Sequence, residues 1–563
     1  MSQGQPAPSS PTKTPKRQES ATSRRISSPA QAAARRQSLY GHDDRIVIDP
    51  GSRVWKVGFS GEPSPRTCFF AHDSTDRTRA TEIWDLDLSA TAGAHGNVAE
   101  ARRLVQVRIQ RRLRDTFHKH LLTDGKQRKA IVVENTFLPT YVKELITAAL
   151  FDNLKCPSVA FTPSSILALA ASGRVTGLVV DVGWLETTVT PVFCSRPLYN
   201  LARSSPVAGR TLYMRLRALL RRFGRYQPPT RGGTPPPLSP PALSLLTDQL
   251  VERVLTEACF AEQSAPPART PEPMDTDGYE PTLPVPDMEN EELLDALAAR
   301  YGGSSQANDW TVSIPSARGT GACGRLVVPG WLRQRVVDAL FGDGPDEEDC
   351  VPELILHTLE RLPVDLRPDM ISSILVTGGI SALPGFIPRV RNEILCRIPA
   401  EGIVLDFTDP LAEVASWRRR SKEPYTELHG LSMRLAIIND PAPLDGTASA
   451  SGGTAPRWAS PLVAWVGGSL AGVLKTSAPE LVREDYDARV NESVDRGEEY
   501  RAALERERDE LGAAIAAVGL DIDELQPGMA RAALAGKRKR GWAVGGIVPD
   551  WTTARVRASV WTG

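Results

Sequence analysis

The sequence predicts an α/β fold built from two duplicated lobes. Two segments share a pattern of three apolar residues, Asp, any residue and Gly: IVIDPG at residues 46–51 and LVVDVG at residues 178–183. A second β-like run follows each segment, at residues 54–59 and 187–193, so each predicts a hairpin with an acidic residue at its turn. Helical segments such as residues 98–122 separate the hairpins. One hairpin is weak evidence, but two with helices between them indicate a repeated α/β unit.

The elements around the hairpins follow from the spacing of apolar residues. Apolar residues recur at four-residue steps within 98–122, which predicts a helix. A second helix is predicted at residues 212–226, where one apolar stripe leaves the arginines elsewhere. We interpret these arginines as a solvated basic face, with a site for an acidic partner as the alternative. ILVTGG at residues 374–379 and LVAWVGG at residues 462–468 are predicted to be strands that end in glycines.

The composition excludes several classes of protein. Lys plus Arg and Asp plus Glu both number 67 in 563 residues, so the net charge gives no reason to expect nucleic acid as a partner. The 7 cysteines form no CxxC pair, which argues against a disulfide framework or a zinc ribbon and favours a reducing compartment. No apolar run is long enough to span a membrane, so we expect no direct membrane insertion. These features predict a soluble, cytoplasmic protein.

Shifts in composition divide the chain into segments. The basic N-terminal tail is rich in Ser and Pro and is predicted to be disordered, because it cannot bury enough apolar surface to fold. Stretches rich in Pro, Gly and Ser interrupt the folded part and are interpreted as insertions. The predicted segments are the disordered tail 1–44, the first lobe 45–200 with a shortened insertion 70–130, the second lobe 201–400 with Pro-rich insertions 225–245 and 263–310, a return to the first lobe 401–487 with an insertion 419–456, and a charged, Trp-bearing extension 488–563.

Two acidic hairpins that face each other across a cleft can hold a nucleotide polyphosphate. Backbone N–H groups in the turns would cradle phosphate oxygens, while Asp49 and Asp181 would order the waters of a magnesium ion. Ser52 can add a hydroxyl and Lys56 a positive charge. The candidate binding residues are Asp49, Gly51, Ser52, Lys56, Asp181, Gly183, Gly378 and Gly379. The alternative is that the aspartates cap strand ends and the glycines only form turns.

Five segments of the chain, taken in order, resemble the actin family. They are residues 45–69, 171–183, 374–390, 462–472 and 484–488. The resemblance covers most of the chain outside the tails and insertions. It implies the actin-like α/β fold shared with Hsp70 and hexokinase, with a reduced subdomain 2, and it implies ATP or ADP with Mg²⁺ as cofactor. Residues 328–341 and 362–379 resemble the divergent actin-related proteins at the pointed end of the dynactin complex.

The nucleotide-binding positions depart from the family pattern. Trp184 and Leu185 occupy the places of the second acid and the following glycine in the second hairpin, and Arg53 occupies the place of a glycine in the first. Pro50 stands where the family has a small polar residue, and Ser164 aligns with its water-positioning glutamine. The adenine contacts of the family align with Leu255, Thr256 and Leu383. We therefore expect no ATP turnover, and ATP or ADP with Mg²⁺ bound weakly at most.

The resemblance implies a non-catalytic structural subunit that caps the pointed end of the actin-like filament of dynactin, the complex that supports dynein-based microtubule transport. The expected partners are the filament subunits and the other pointed-end subunits of dynactin, and the expected location is the cytoplasmic cytoskeleton. Residues 164–174 and 467–474 resemble the segments that meet a neighbouring subunit. The short insertion, with one predicted strand at residues 82–88, leaves little chain for the gripping loop of the opposite face.

Two alternatives of different kinds stay open. The first is a nuclear actin-related subunit of a chromatin-remodelling complex, supported only by KRKR at residues 537–540 as a nuclear signal. The second is a functional actin-like ATPase, which the substitutions at Ser164 and Trp184 disfavour. Cellular location separates the first alternative from the structural subunit, and an ATPase assay separates the second.

Overall fold

The computed structural model describes the folded body of the chain. The described residues are 45–71, 98–229, 236–262, 291–303, 305, 307–315, 323–342, 349–398, 425–441, 459–476 and 478–492. Several predicted features lie outside these residues, so the structure says nothing of them. They are the tail 1–44, the run 82–88, residues 263–287 of the second Pro-rich insertion, and the extension from residue 493 onward with KRKR at 537–540.

The described strands and helices alternate along the chain. The strands are β1 (Ile46–Pro50), β2 (Val54–Phe59), β3 (Thr67–Phe70), β4 (Ala130–Glu134), β5 (Ser158–Pro163), β6 (Gly177–Val182), β7 (Thr187–Phe193), β8 (Arg196–Pro197), β9 (Arg203–Ser205), β10 (Arg225–Gln227), β11 (Trp310–Pro315), β12 (Cys323–Val328), β13 (Ile374–Thr377) and β14 (Leu481–Val482). The α-helices are α1 (Val98–Asp115), α2 (Thr140–Ala148), α3 (Ser164–Ala171), α4 (Gly209–Phe223), α5 (Asp248–Glu257), α6 (Glu291–Tyr301), α7 (Gly330–Arg335), α8 (Val351–Arg361), α9 (Arg367–Ile371), α10 (Phe386–Arg397) and α11 (Val463–Leu474). Residues 483–492 form a further helix, α12.

Two sheets give the body its two lobes. The first-lobe sheet has the strand order β14–β5–β4–β1–β2–β3, and the second-lobe sheet has the order β13–β6–β7–β8, with β9 also paired to β7. In each sheet the Asp-bearing strand has an antiparallel partner on one side and a parallel partner on the other. These partners are β2 and β4 for β1, and β7 and β13 for β6. The repeat confirms the duplicated, two-lobed α/β fold.

Each sheet is covered by amphipathic helices that bury their apolar stripes. The predicted helix at 98–122 is confirmed as α1 and the turn after it. The apolar residues at four-residue steps are buried in the first-lobe core: Val105, Ile109, Leu113, Phe117 and Leu121. In the second lobe, α4, α5, α8 and α10 contribute to one large core. A third apolar cluster contains Val47 of β1 and Val179 of β6 together with residues of α3 and α11. This helix pair therefore packs between the two sheets.

The structure corrects the prediction at 462–468, because this run is the start of helix α11 and not a strand. A short, continuously apolar run does not distinguish a buried strand from a buried helix. Within α11, Gly467 lies against the backbone of α3, since a Cβ on Gly467 would lie 2.0 Å from the carbonyl oxygen of Leu167. Only glycine allows the two backbones to approach so closely.

The predicted basic helix at 212–226 is also corrected at both ends. Helix α4 begins at Gly209 and ends at Phe223, and Arg225 lies in strand β10 of a small sheet with the order β10–β12–β11. Arg215, assigned to the solvated face, is buried. On the outer face, Arg222 pairs with Asp295 of α6 at 3.0 Å. Part of the basic face of α4 therefore meets an acidic residue of the same chain.

Two further segments have more structure than the sequence suggests. Helix α6 lies inside the stretch 263–310, where the sequence predicts a Pro-rich insertion. Tyr425, Leu428, Leu435 and Ile437 pack in the second-lobe core, although they lie within the predicted return to the first lobe at 401–487. None of the described helices combines the length and the apolarity needed to cross a bilayer.

Candidate functional site

The turns of the two hairpins line one cavity between the lobes. The cavity has a volume of about 810 Å³ and is also lined by residues of α5 and of the turn after β13. All eight candidate binding residues line it: Asp49, Gly51, Ser52, Lys56, Asp181, Gly183, Gly378 and Gly379. The structure therefore brings the sequence-predicted site together at one place.

The first hairpin pairs its own acid with a cation. Asp49 and Lys56 face each other across β1 and β2, and the Lys56 ammonium donates a hydrogen bond of 2.6 Å to the Asp49 carboxylate. Burial lowers the pKa of Lys56, but the negative charges of Asp49 and Asp181 outweigh this effect and raise the pKa above its ordinary value. Lys56 is thus a charged ammonium that is already bound to a carboxylate.

Trp184, at the second turn, belongs to the second-lobe core. The turn is closed by a hydrogen bond of 3.1 Å from the Gly183 N–H to the Glu186 carbonyl, and the Trp184 carbonyl accepts one of 2.8 Å from the Arg210 N–H of α4. The Trp184 side chain is only 8% exposed. Its ring packs edge-to-face on Tyr213, with the ring centres 5.5 Å apart. The indole fills space beside the turn that a short acidic side chain would leave open.

Arg53 crosses the cleft from the tip of the first hairpin. Its guanidinium lies 4.4 Å from the centre of the Trp184 ring. The same group donates a hydrogen bond of 2.9 Å to the carboxylate of Glu252 on α5, and the two side chains are 12% and 20% exposed. A guanidinium over an indole and beside a carboxylate gains both cation–π and charge-assisted hydrogen-bond energy. We call Arg53, Trp184 and Glu252 the cleft bridge.

Sequence reasoning did not predict the cleft bridge. It identified Arg53 and Trp184 only as departures from the family pattern, and it did not identify Glu252. Glu252 lies 199 residues from Arg53, in a helix whose pattern is that of any amphipathic surface helix. The available signal was the arginine itself, because a long cation in place of a turn glycine requires a nearby carboxylate when it is buried.

The Asp181 carboxyl lies in the same cavity and has a raised pKa. Burial raises the pKa of Asp181 from 3.8 to about 6, with the positive charge of Lys56 lowering it and the negative charge of Asp49 raising it. Gly378 beside it has φ +92°, and a Cβ there would lie 2.5 Å from a carboxylate oxygen of Asp181. Burial and the charge of Asp181 also raise the pKa of Glu186.

The charges of the cavity limit what it can bind. Its lining includes the acids Asp49, Asp181, Glu186 and Glu252 and the cations Arg53 and Lys56. Both cations are bound to carboxylates, so a polyphosphate at the turns meets an excess of negative charge unless a metal ion offsets it. Among the described residues, no group of three His, Cys, Asp or Glu side chains is placed to hold a metal ion.

The remaining positions aligned with family contacts are apolar or small. Leu255, Thr256 and Leu383, which align with the adenine contacts of the family, line the side of the cavity formed by α5 and the turn after β13. Ser164, which aligns with the water-positioning glutamine, is buried at the first residue of α3. The cavity therefore keeps the shape of a cleft but has few of the polar side chains that the resemblance implies.

Comparison with known proteins agrees with this architecture. The actin family profile matches residues 41–230 and 330–413, which contain both hairpins and strand β13. Actin-like protein 9 of Homo sapiens is 24% identical over 387 residues, covering 66% of this chain and 79% of that protein. Actin-related protein 4 of Emericella nidulans is 22% identical over 442 residues, covering 67% of this chain and 90% of that protein. Actin-related protein 4 of Oryza sativa subsp. indica is 22% identical over 408 residues, covering 63% of this chain and 86% of that protein.

Proposed function

We propose that this chain, whose residues 41–230 and 330–413 match the actin family profile, is a structural actin-related subunit that does not hydrolyse ATP. The cleft bridge supports this most directly, since Arg53 and Trp184 stand where the family pattern has a glycine and a metal-ordering acid. Ser164 offers only a short hydroxyl where the family has a glutamine that positions water. Each lost contact is worth about 1–3 kcal/mol of ligand or transition-state binding.

In this proposal the lobes are connected by side chains of the protein. Arg53 belongs to the first lobe, and Trp184 and Glu252 belong to the second. ATP or ADP with Mg²⁺ binds weakly at most, because the cations of the cavity are bound to carboxylates and the second turn is filled by an indole. The subunit then keeps one arrangement of its lobes without a bound nucleotide.

We further propose that the protein adds once to the pointed end of an actin-like filament of the dynactin kind, in the cytoplasmic cytoskeleton. Helices α3 and α11 belong to the segments that the resemblance assigns to the face that meets a neighbouring subunit. Apolar side chains are exposed on α11 and just after α3, with Val175 61%, Leu470 39% and Leu474 67% exposed. A subunit with one competent face stops growth, because a head-to-tail interface must repeat for a filament to extend.

An ATPase assay on the purified full chain tests the first part. We expect phosphate release from Mg-ATP no faster than in buffer, and no further decrease in the Asp181→Ala variant. Phosphate release by the wild-type chain that disappears in Asp181→Ala would identify a working ATPase and overturn the proposal.

Labelled electron microscopy of the protein mixed with purified dynactin filament tests the second part. We expect the label at pointed ends only and no filaments from the protein alone. Label along filament sides, label at barbed ends, or self-assembled filaments would contradict end capping. A tagged copy that accumulates in the nucleus would favour the chromatin-remodelling alternative.

A further inference from the structure

The outer face of α1 and the turn after it form a basic surface that includes two exposed apolar residues. Arg103, Leu104, Val107, Arg111 and His118 are exposed and lie on the side opposite the buried stripe. Val107 follows Arg103 by four residues and Leu104 by three, Arg111 follows Val107 by four, and His118 follows Arg111 by seven. Leu104 is 45% and Val107 55% exposed. We call this surface the basic ridge. Residues at such spacing share one face of a helix, so the ridge is a continuous strip.

The basic ridge has little acidic compensation on its own helix. Helix α1 contains six arginines but only Glu100 and Asp115 as acids. Asp115 pairs with Lys119 in the following turn at 3.0 Å, where Lys119 is exposed and Asp115 is partly exposed. The two exposed apolar residues add a surface that water does not stabilise. A partner for this strip should therefore be acidic and carry a few apolar side chains.

The described chain ends beside this helix. Tyr486 of α12 stacks on Phe151, with ring centres 4.7 Å apart, and donates a hydrogen bond of 3.0 Å to Asp152. The next residue, Asn153, accepts a hydrogen bond of 2.7 Å from Arg114 of α1. Helices α1 and α12 thus contact the same three-residue segment, so α12, the last described element, lies near the C-terminal end of α1.

The sequence that follows has the required chemistry. Residues 498–511, EEYRAALERERDEL, contain six acids and three arginines. Tyr500, Leu504 and Leu511 recur at steps of four and seven residues, which would place them on one face of a helix. Residues 493–497 separate this segment from α12, and five extended residues span up to about 17 Å.

We propose that residues 498–511 dock on the basic ridge of the same chain. The acids of the segment lie against Arg103 and Arg111, and its apolar face covers Leu104 and Val107. A second copy of the chain could supply the same acidic segment, so the test must separate contact within one chain from contact between chains.

Hydrogen exchange on the full-length chain tests the proposal. We expect the amides of 498–511 to exchange at least about tenfold more slowly than an unstructured peptide, with protection that does not change on dilution. The charge reversal Arg103→Glu with Arg111→Glu should abolish this protection. Adding Glu505→Lys and Asp509→Lys should restore it, because the charge pairs are then exchanged in sign. The matched control is Arg221→Glu, which reverses an exposed arginine of α4 and should leave the protection unchanged.

Three outcomes would overturn the proposal. The segment 498–511 could exchange at the unprotected rate in the wild-type chain. Its protection could survive the charge reversal on α1 while thermal unfolding shows that the variant is folded. Its protection could also fall on dilution, which would assign the contact to a second copy of the chain.

Discussion

The cleft bridge makes a measurable prediction about the coupling of the two lobes. At the 2.9 Å separation of the Arg53 nitrogen and the Glu252 oxygen, two unit charges attract by about 6 kcal/mol at an effective dielectric constant of about 20. Removing both groups from water cancels most of this energy, which leaves about 1–2 kcal/mol for a charge-assisted hydrogen bond. The contact of the guanidinium with Trp184 adds about 1 kcal/mol.

The perturbation is a double-mutant cycle with Arg53→Met and Glu252→Gln, which remove the charges and keep most of the side-chain bulk. We expect Arg53→Met to lower the free energy of unfolding by about 2–3 kcal/mol. We expect a coupling energy of about 1–2 kcal/mol between the two positions. Urea unfolding followed by tryptophan fluorescence measures both quantities.

The matched control is the pair of Arg66 and Glu62, which lies within the first lobe and is more exposed, at 32% and 23%. An ion pair of this kind contributes about 0.5 kcal/mol or less. A coupling energy for Arg53 and Glu252 that is no larger than that of the control pair would refute the bridge as a connection between the lobes.

Three further predictions concern the cleft and the helix pair between the sheets. Asp181 has a pKa of about 6 in the folded protein, against an ordinary value of 3.8. Its buried charge therefore destabilises the fold fully above pH 6, and this destabilisation is lost as the pH falls through 6 toward 3.8. The Asp181→Asn variant should therefore be more stable than the wild type by up to ~3 kcal/mol at pH 8 and by less at pH 5. A stability difference in urea unfolding that does not change with pH would contradict this prediction. Trp184→Ala should lower the free energy of unfolding by about 3–4 kcal/mol in the same assay, because it leaves a cavity at a buried site. Addition of Mg-ATP should leave the melting temperature of the wild type unchanged. Gly467→Ala should lower the free energy of unfolding by at least about 2 kcal/mol, because the added Cβ would clash with the backbone of α3. The control is Gly430→Ala, whose Cβ has no atom within 4 Å and which should change the free energy of unfolding by less than about 0.5 kcal/mol.

The elements that the sequence predicts well are those whose determinants are local. The hairpins containing Asp49 and Asp181 follow from an apolar run, an acid and a glycine within six residues, and both form as predicted. The long helix α1 follows from an apolar stripe sustained over several turns, which no strand can present. Because the two hairpins repeat, their turns also predict the place of the cleft.

The elements that the sequence does not predict depend on tertiary contacts. Helix α11 is apolar almost all round, because one side packs against α3 and both sheets while Leu470 and Leu474 are apolar residues on the exposed side. The one-sided pattern that identifies a helix is therefore missing. The partner of Arg53 lies 199 residues away, and no local pattern relates the two positions. Arg215 reads as a surface arginine from its spacing, yet the structure buries it. Such residues are fixed by the assembled fold and not by their neighbours in the chain.

The hydrogen bond between Arg53 and Glu252 bears on whether the subunit changes with time after assembly. In a subunit whose lobes are connected through a bound phosphate, hydrolysis of that phosphate alters the contacts between the lobes. The state of such a subunit therefore changes with the time since its assembly. A guanidinium stays charged across the physiological pH range and is not consumed. If the lobes are joined by the cleft bridge, a newly added subunit and an old one are chemically identical. For the proposed end-capping subunit, we expect the lifetime at a filament end to depend on the strength of its contacts and not on the chemical state of a bound nucleotide.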